Sequence, residues 1–247
     1  MGEKKVPRTR SGPGSGRRLL LCAVAFLALA LLSFVGIRLK SWQNQRRSSR
    51  AVVLVNAWNP IDDTGFHPRL VDIGGGMQLD RSCAKALQQM LDDCRAAGGQ
   101  PQIRSAYRSR SEQEQMFAAQ VKRFTEQGFS AEKAERLAAQ QTARPGTSEH
   151  ELGLAVDILD EAAIRLEKAP EATETFRWLV ENAWRYGFIL RYPPDRQEIT
   201  GAPYEPWHFR YVGGAAAWQI YSLGITLEEY SSLFYSEEAD IVFDEAG

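Results

Sequence analysis

The stretch His150-Glu151-Leu152-Gly153-Leu154-Ala155-Val156-Asp157-Ile158-Leu159 carries an aspartate between apolar neighbours. Its last seven residues predict a β-strand. On a strand, Gly153, Ala155 and Asp157 share one face, and the two small residues leave room there for a bulky group. A buried carboxylate without a partner is costly. The stretch therefore indicates either a metal ion or a paired arginine beside Asp157.

A second stretch, Glu205-Pro206-Trp207-His208-Phe209-Arg210, places another histidine on a strand predicted from Trp207 to Val212. Two histidines and one carboxylate form a known catalytic zinc set that leaves a fourth coordination position open. Glu205 stands at the start of this strand, where a proline bends the chain. A glutamate outside the ligand set can accept a proton from water, although Glu205 alone would be interpreted as a solvated loop acid. The remaining histidine, His67, receives no role.

A third stretch, Ser105-Ala106-Tyr107-Arg108-Ser109, lies between a predicted strand and a predicted helix. Ser109 and Glu112 have the spacing of a capping box, which begins that helix. An arginine at such a turn can reach into a cleft and stabilise a developing oxyanion. Arginines at helix starts are usually solvated, so this stretch alone gives weak support for a catalytic Arg108.

The rest of the chain predicts an α+β fold. Because helices surround a few short strands, we expect a small central antiparallel sheet with helices packed around it, preceded by one N-terminal transmembrane helix. Further strands are predicted at 52–55, 102–105 and 188–190, helices at 82–97, from 110, at 131–141, 171–186, 215–222 and 227–235, and loops at 62–77 and 192–204.

Three motifs in this order resemble those of the VanY-type D-alanyl-D-alanine carboxypeptidases. They are Tyr107-Arg108-Ser109 with Gln113, Ser148-x-His150-x-x-Gly153-x-Ala155-x-Asp157, and Glu205-x-Trp207-His208. The resemblance covers roughly residues 52–214. The same zinc peptidase group includes L,D-carboxypeptidases, D,D-dipeptidases and some phage endolysins.

The resemblance implies a role for each matching residue. His150, Asp157 and His208 match the ligands of Zn²⁺, Glu205 matches the catalytic base, and Arg108 matches the residue that stabilises the transition state. The positions expected to contact substrate are Ser148, Gln113, Trp207 and Tyr107, of which Trp207 is a wall of the site. The implied reaction removes the terminal D-alanine from a peptidoglycan stem peptide.

Charge is distributed unevenly along the chain. The chain has 30 basic and 31 acidic residues. Residues 1–50 contain 11 of the basic residues and 1 of the acidic ones. Residues 51–247 therefore contain 19 basic and 30 acidic residues, a net charge of −11. An acidic domain is a poor candidate for binding a phosphate backbone, so no nucleic-acid partner is expected. The basic segment surrounds an apolar run, which indicates a membrane instead.

The apolar run from Leu19 to Ile37 has no charged residue, and its length is close to the roughly 20 residues that cross a bilayer. A cleavable signal peptide is the alternative, but Ala28-Leu29-Ala30 lies in the middle of the run, which favours an uncleaved anchor. We expect a disordered basic cytoplasmic tail at 1–18, a transmembrane anchor at 19–37, a linker at 38–50 and an extracytoplasmic zinc carboxypeptidase domain at 51–247. Basic residues flank both sides of the run, so the orientation follows from the position of the cell wall rather than from charge.

Two alternatives stay open at this point. The first keeps the zinc chemistry but changes the bond that is cut, as in an L,D-carboxypeptidase, a D,D-dipeptidase or a peptidoglycan endopeptidase. The second is a non-catalytic, membrane-anchored module that binds cell-wall peptide, and it predicts that a ligand or the base is missing. All four of those positions are occupied by the expected residue types. The sequence does not determine the oligomeric state.

Overall fold

The computed structural model describes residues 50–166 and 169–235, which contain a four-stranded sheet and a separate two-stranded hairpin. The strands are β1 Leu70–Gly74, β2 Met77–Asp80, β3 Pro101–Ser105, β4 Ala155–Asp160, β5 Phe188–Leu190 and β6 His208–Tyr211. The larger sheet has the order β3-β4-β6-β5, and all its neighbouring strands are antiparallel. The predicted α+β fold with a small antiparallel sheet is thus confirmed.

Helices surround these strands in the described part of the chain. The α-helices are α1 Arg81–Ala96, α2 Arg110–Glu126, α3 Ala131–Ala139, α4 Glu161–Leu166, α5 Glu174–Asn182, α6 Gln197–Thr200, α7 Gly214–Leu223 and α8 Leu227–Tyr235. Short 3-10 helices cover Ile61–Thr64, Glu149–Leu152, Pro170–Ala172 and Ala183–Tyr186.

Several helices begin where a side chain caps free backbone N–H groups. Asp80 accepts from the N–H of Ser82 at the start of α1. Ser109 and Glu112 form the predicted capping box at the start of α2, and Ser130 caps α3 as expected. Such caps contribute about 0.5–2 kcal/mol each. The α2 cap matters for the site, because it fixes the turn that carries Arg108.

The core has two apolar clusters. The larger contains buried side chains of α1, β4 and α5, among them Leu87, Val156 and Leu179. The smaller lies under α7 and α8 and contains Ile220 and Leu227. Strand β5 contributes to both clusters, since Phe188 packs in the larger one and its neighbour Ile189 in the smaller one, as expected for side chains that alternate between the two faces of a sheet.

The predicted strand at 52–55 is wrong. In the structure this segment is irregular, and the carbonyl groups of Ala51 and Val53 accept hydrogen bonds from Nη2 of Arg210 at 2.9 and 2.8 Å. A guanidinium group therefore satisfies carbonyl groups that a neighbouring strand would satisfy in a sheet. Val55 is nevertheless fully buried, which explains why the apolar run resembles a core strand.

The predicted loop at 62–77 is only partly a loop, because it contains β1 and the start of β2. Gly74 ends β1, and Gly75-Gly76 form the turn to β2; their φ angles of 91°, 63° and 74° favour glycine. The predicted helix at 171–186 is divided into three pieces, the middle one being α5. The predicted loop at 192–204 includes the short helix α6.

The strand predicted from Gly153 begins two residues later. Gly153 has a φ of 65° and ends the 3-10 helix Glu149–Leu152, so β4 starts at Ala155. His150 thus lies on a 3-10 turn rather than on the strand. This turn, rather than strand periodicity, places the His150 imidazole near Asp157.

The predicted tail, transmembrane anchor and linker, at 1–18, 19–37 and 38–50, lie outside the described residues except for Arg50. Of the helices within residues 50–166 and 169–235, none combines the length and the apolar character that a bilayer span needs.

Gly187 joins the 3-10 helix Ala183–Tyr186 to β5 with a φ of 83°, and a Cβ there would lie 2.8 Å from Cε2 of Tyr211 in β6. We expect Gly187→Ala to lower the free energy of unfolding by about 1–2 kcal/mol for the left-handed backbone, plus about 1–3 kcal/mol for overpacking. Gly224→Ala is the matched control, because its φ of 64° is similar but no atom of the described residues outside its immediate neighbours lies within 4 Å of the new Cβ. Urea unfolding of both variants measures the difference, and equal losses would contradict the crowding at Gly187.

Candidate metal-dependent active site

Three side chains predicted to bind a metal lie together in the structure. Ligand atoms of His150, Asp157 and His208 all lie within 4.8 Å of one another. Asp157 and His208 are direct cross-strand partners in the β4–β6 pair. Oδ1 of Asp157 lies 3.3 Å from Nε2 of His150 and 3.2 Å from Nδ1 of His208. Donor atoms at about 2.0–2.1 Å from a tetrahedral zinc ion are separated by roughly 3.4 Å, so these spacings fit zinc.

The two imidazole rings are held with opposite nitrogens facing Asp157. Nδ1 of His150 lies 2.6 Å from the carbonyl oxygen of Ala106, so this nitrogen donates and Nε2 faces the cluster. In His208 the arrangement is reversed, because Nε2 lies 3.3 Å from Oε2 of Glu149 and Nδ1 faces the cluster. A metal-ligating histidine commonly donates its second ring N–H to a carbonyl or carboxylate group in this way.

Unsatisfied atoms support the metal interpretation. Among the described residues, Nε2 of His150 and Oδ1 of Asp157 are buried and make no hydrogen bond. Buried polar atoms are seldom left in this state unless an ion or water binds them. The residues present therefore fit a divalent cation, held by His150, Asp157 and His208.

The electrostatic environment also favours a positive charge at this point. Burial lowers the pKa of His208, but the adjacent carboxylates of Asp157 and Glu149 outweigh burial and raise it to about 9. Burial raises the pKa of Asp157, yet the adjacent imidazoles of His150 and His208 hold it well below its usual range. Carboxylates that stay ionised in a buried cluster stabilise a cation between them.

Glu205 lies beside the cluster without belonging to it. Its Oε2 is 3.6 Å from Nδ1 of His208. Burial is the largest influence on this carboxyl group and raises its pKa, although His208 acts in the opposite direction. A carboxylate with a raised pKa near a metal site can accept and return a proton.

Arg108 approaches the cluster at the second carboxylate oxygen of Asp157. Its Nη2 lies 3.9 Å from Oδ2 of Asp157, and its Nη1 donates to Oε1 of Gln113 at 2.8 Å. Gln113 is fully buried and donates in turn to the carbonyl oxygen of Ala143 at 2.7 Å. Both alternatives drawn for Asp157 from the sequence therefore apply, because one carboxylate oxygen faces the two histidines and the other faces an arginine.

A cavity of about 280 Å³ opens onto this cluster. Eight of the nine residues predicted for the site line it, and Tyr107 is the exception. Ser148 is almost buried in its wall, whereas Trp207 is 36% exposed at its edge. Tyr107 instead donates its backbone N–H to the carbonyl oxygen of Gln78.

Four charged residues next to the cluster, three of them buried and one partly exposed, were not predicted for the site. Glu149 binds the guanidinium groups of Arg191 and Arg210, and Arg191 also binds Glu228. Only Arg210 has a sequence signal, because it lies two residues after His208 and therefore on the same face of the strand. The partners Glu149, Arg191 and Glu228 are far apart in sequence and show no periodic pattern.

Removing one ligand should abolish tight metal binding. We expect His208→Ala and Asp157→Asn to weaken Zn²⁺ binding by more than the roughly 10- to 100-fold caused by loss of an outer partner. His67→Ala is the control, since His67 is exposed and lies outside the cluster. Chelator competition measures the three affinities. Wild-type affinity in His208→Ala would show that the ligand set is wrong.

The comparisons with known proteins all indicate the same family. A family model described as VanY: D-alanyl-D-alanine carboxypeptidase matches residues 76–214. A D-alanyl-D-alanine carboxypeptidase of Enterococcus faecalis is 41% identical over 180 residues, which cover 73% of this chain and 65% of that protein. The bifunctional D-Ala-D-Ala dipeptidase and D-Ala-D-Ala carboxypeptidase VanXYC of Enterococcus gallinarum is 40% identical over 188 residues, covering 72% of this chain and 91% of that protein.

Solved structures agree with this comparison. One match is the structure of the vancomycin-resistance D,D-pentapeptidase VanY, a Glu-to-Ala mutant in complex with Zn(II). The TM-score is 0.66 and the sequence identity 41%, and the match covers 73% of this chain and 98% of the VanY chain. The structure of VanYB in complex with D-alanine-D-alanine matches with a TM-score of 0.67 and 40% identity, covering 74% of this chain and 98% of the VanYB chain.

The match spans 65% of the Enterococcus faecalis protein and 53% of the putative carboxypeptidase YodJ of Bacillus subtilis, so it covers less than two thirds of these curated relatives. The family model nevertheless covers more than half of this chain and includes all three motifs. The chain therefore belongs to the VanY family of D-alanyl-D-alanine carboxypeptidases.

Proposed function

We propose that this chain is a zinc-dependent D-alanyl-D-alanine carboxypeptidase that removes the terminal D-alanine from peptidoglycan stem peptides. The observation that carries the proposal is the cluster of His150, Asp157 and His208, whose unsatisfied ligand atoms face a cavity also lined by Glu205 and Arg108. Ligands, base and a cationic group thus face one space, as hydrolysis of a peptide bond requires.

Zinc held by the three ligands would supply Lewis-acid chemistry and lower the pKa of a water molecule at its open position. Glu205 accepts the proton from the attacking water, because its carboxylate lies in the cavity beside the ligand His208. It then returns that proton to the amine of the departing D-alanine. The raised pKa of Glu205 favours the first of these transfers, since a stronger base accepts the proton of water more readily.

Arg108 stabilises the negative charge that develops on the scissile carbonyl oxygen. Its Nε is buried and makes no hydrogen bond within the described residues, and its Nη1 is fixed by Gln113. Gln113 uses its amide oxygen for Arg108 and its amide nitrogen for Ala143. We therefore propose that Gln113 holds Arg108 in place and does not itself bind the substrate.

The cavity is small enough to select the end of a peptide. Its volume of about 280 Å³ is just below the roughly 300–1,000 Å³ typical of small-molecule pockets. Ser148 offers a hydroxyl group to the terminal residue, and Trp207 forms an apolar wall at the opening. The rest of the stem peptide would extend outward past this wall.

We also propose that residues 19–37 anchor the protein in the cell membrane with residues 51–247 on the extracytoplasmic side. The uncharged apolar run supports the anchor. The extracytoplasmic side follows from the substrate, because peptidoglycan lies outside the cytoplasm.

The proposed function is tested with a pentapeptide that ends in D-Ala-D-Ala. We expect release of free D-alanine, its loss on treatment with a chelator, and its recovery when Zn²⁺ is added back. Mass spectrometry of the products identifies the bond that is cut. Cleavage of free D-Ala-D-Ala but not of the pentapeptide would replace this function with a D,D-dipeptidase, and cleavage of a tetrapeptide but not of the pentapeptide would replace it with an L,D-carboxypeptidase.

Glu205→Gln should separate catalysis from metal binding. We expect the rate of D-alanine release to fall by about 10²–10⁴-fold, the usual contribution of a positioned acid–base group, while the zinc content stays at the wild-type value. Glu198→Gln is the control, because Glu198 is exposed in the preceding segment and does not line the cavity. A near wild-type rate for Glu205→Gln would show that another group is the base.

A further inference from the structure

Glu149 is a buried carboxylate whose two oxygens have different partners. Oε1 accepts hydrogen bonds from Nε of Arg191 and Nη1 of Arg210, both at 2.7 Å. Oε2 lies 3.3 Å from Nε2 of His208. The side chains of Glu149, Arg191 and Arg210 have no exposed surface. One oxygen therefore holds the carboxylate in place, and the other is directed at a metal ligand.

The two arginines are themselves fixed. Arg191 donates from Nη1 and Nη2 to the carboxylate of Glu228 in α8, at 2.9 and 2.6 Å. Arg210 donates from Nη2 to the carbonyl oxygens of Ala51 and Val53. Because each guanidinium group is held at several atoms, the Glu149 carboxylate cannot rotate without breaking charge-assisted hydrogen bonds.

This arrangement determines which nitrogen of His208 is free. An ionised carboxylate only accepts hydrogen bonds, so Nε2 opposite Glu149 must carry a proton. A neutral imidazole has one N–H, which leaves the lone pair on Nδ1, 3.2 Å from Oδ1 of Asp157. A ring that binds metal is neutral, so the proton held at Nε2 leaves Nδ1 as the nitrogen of His208 that can bind the metal.

We propose that Glu149 is a positioning residue that fixes the tautomer and ring orientation of His208, so that this ligand binds metal through Nδ1. The inference rests on the proposed zinc dependence and deepens it, because it assigns a role to a residue outside the three proposed ligands. The charges support this role, since Glu149 and Glu228 balance Arg191 and Arg210 in a set that is neutral as a whole and in which only Glu228 has exposed side-chain surface.

Glu149→Gln tests the inference through zinc affinity. Arg191 and Arg210 only donate, so they require the single carbonyl oxygen of the new amide. The amide N–H₂ then faces Nε2 of His208, which must accept, and the ring proton moves to Nδ1. We expect zinc affinity, measured by chelator competition at one pH, to fall by about 10- to 100-fold.

Glu228→Gln is the matched control. It removes the same charge from the same network and contacts the same Arg191, but it does not touch His208. We expect it to lower the midpoint of urea unfolding while changing zinc affinity by less than about twofold. An equal loss of affinity in both variants, or wild-type affinity in Glu149→Gln, overturns the assigned role of Glu149.

A second measurement on the wild-type protein does not depend on how the variants fold. ¹⁵N NMR of the zinc-loaded, histidine-labelled protein reports which ring nitrogen binds metal, and with three histidines in the chain, His67→Ala simplifies the assignment. We expect metal at Nε2 of His150 and at Nδ1 of His208, with Nε2 of His208 protonated. Metal at Nε2 of His208 overturns the inference. Zinc binding without release of D-alanine would count against the proposed function alone.

Discussion

The pairing of β4 with β6 in one register is the constraint on which the rest of the site depends. It places Asp157 opposite His208 and Ala155 opposite Arg210. A shift of one residue would turn these side chains to the other face of the sheet. A shift of two would bring Asp157 opposite Arg210, giving an ordinary ion pair in place of a metal cluster. The register therefore decides between the two interpretations that the isolated strand allows.

That register also explains why so much charge is buried behind the ligands. Arg210 shares a face with His208, so its guanidinium group points beneath the metal cluster and needs a carboxylate there. Glu149 supplies this carboxylate, and because His150 follows it in the 3-10 turn Glu149–Leu152, the same turn also places His150 at the site. Buried ion pairs add little net stability, because desolvation cancels most of the attraction, but breaking one is costly. Their value here is geometric, since a carboxylate held by two arginines offers His208 a fixed acceptor.

The parts of the fold that local pattern determines could be predicted from the sequence. The capping box of α2, the buried face of α1 and the strand around Asp157 follow from spacing within a few residues. The site residues were identifiable because histidines are rare in this chain and family motifs surround two of them. The network of Glu149, Arg191 and Glu228 could not be predicted, because its members come from a turn, a strand end and a late helix. The false strand at 52–55 has the same origin, since its carbonyl groups are satisfied by Arg210, more than 150 residues away.

The proposed metal ligands and the residues that would contact the peptide are held by different parts of the fold, and this difference affects which substrate fits. Of the three proposed metal ligands, Asp157 and His208 lie on paired strands and His150 lies on the 3-10 turn that also carries Glu149 of the buried ionic network, so all three have little freedom of position. The residues that would meet the peptide beyond the scissile bond lie instead on less regular segments, such as 139–144 and 200–203 at the cavity wall. Loops tolerate substitution and insertion more readily than core elements. A change in these segments can therefore alter which peptide fits without moving the metal ligands. For the same reason, the three motifs identify the proposed chemistry but not the length of peptide that the cavity accepts.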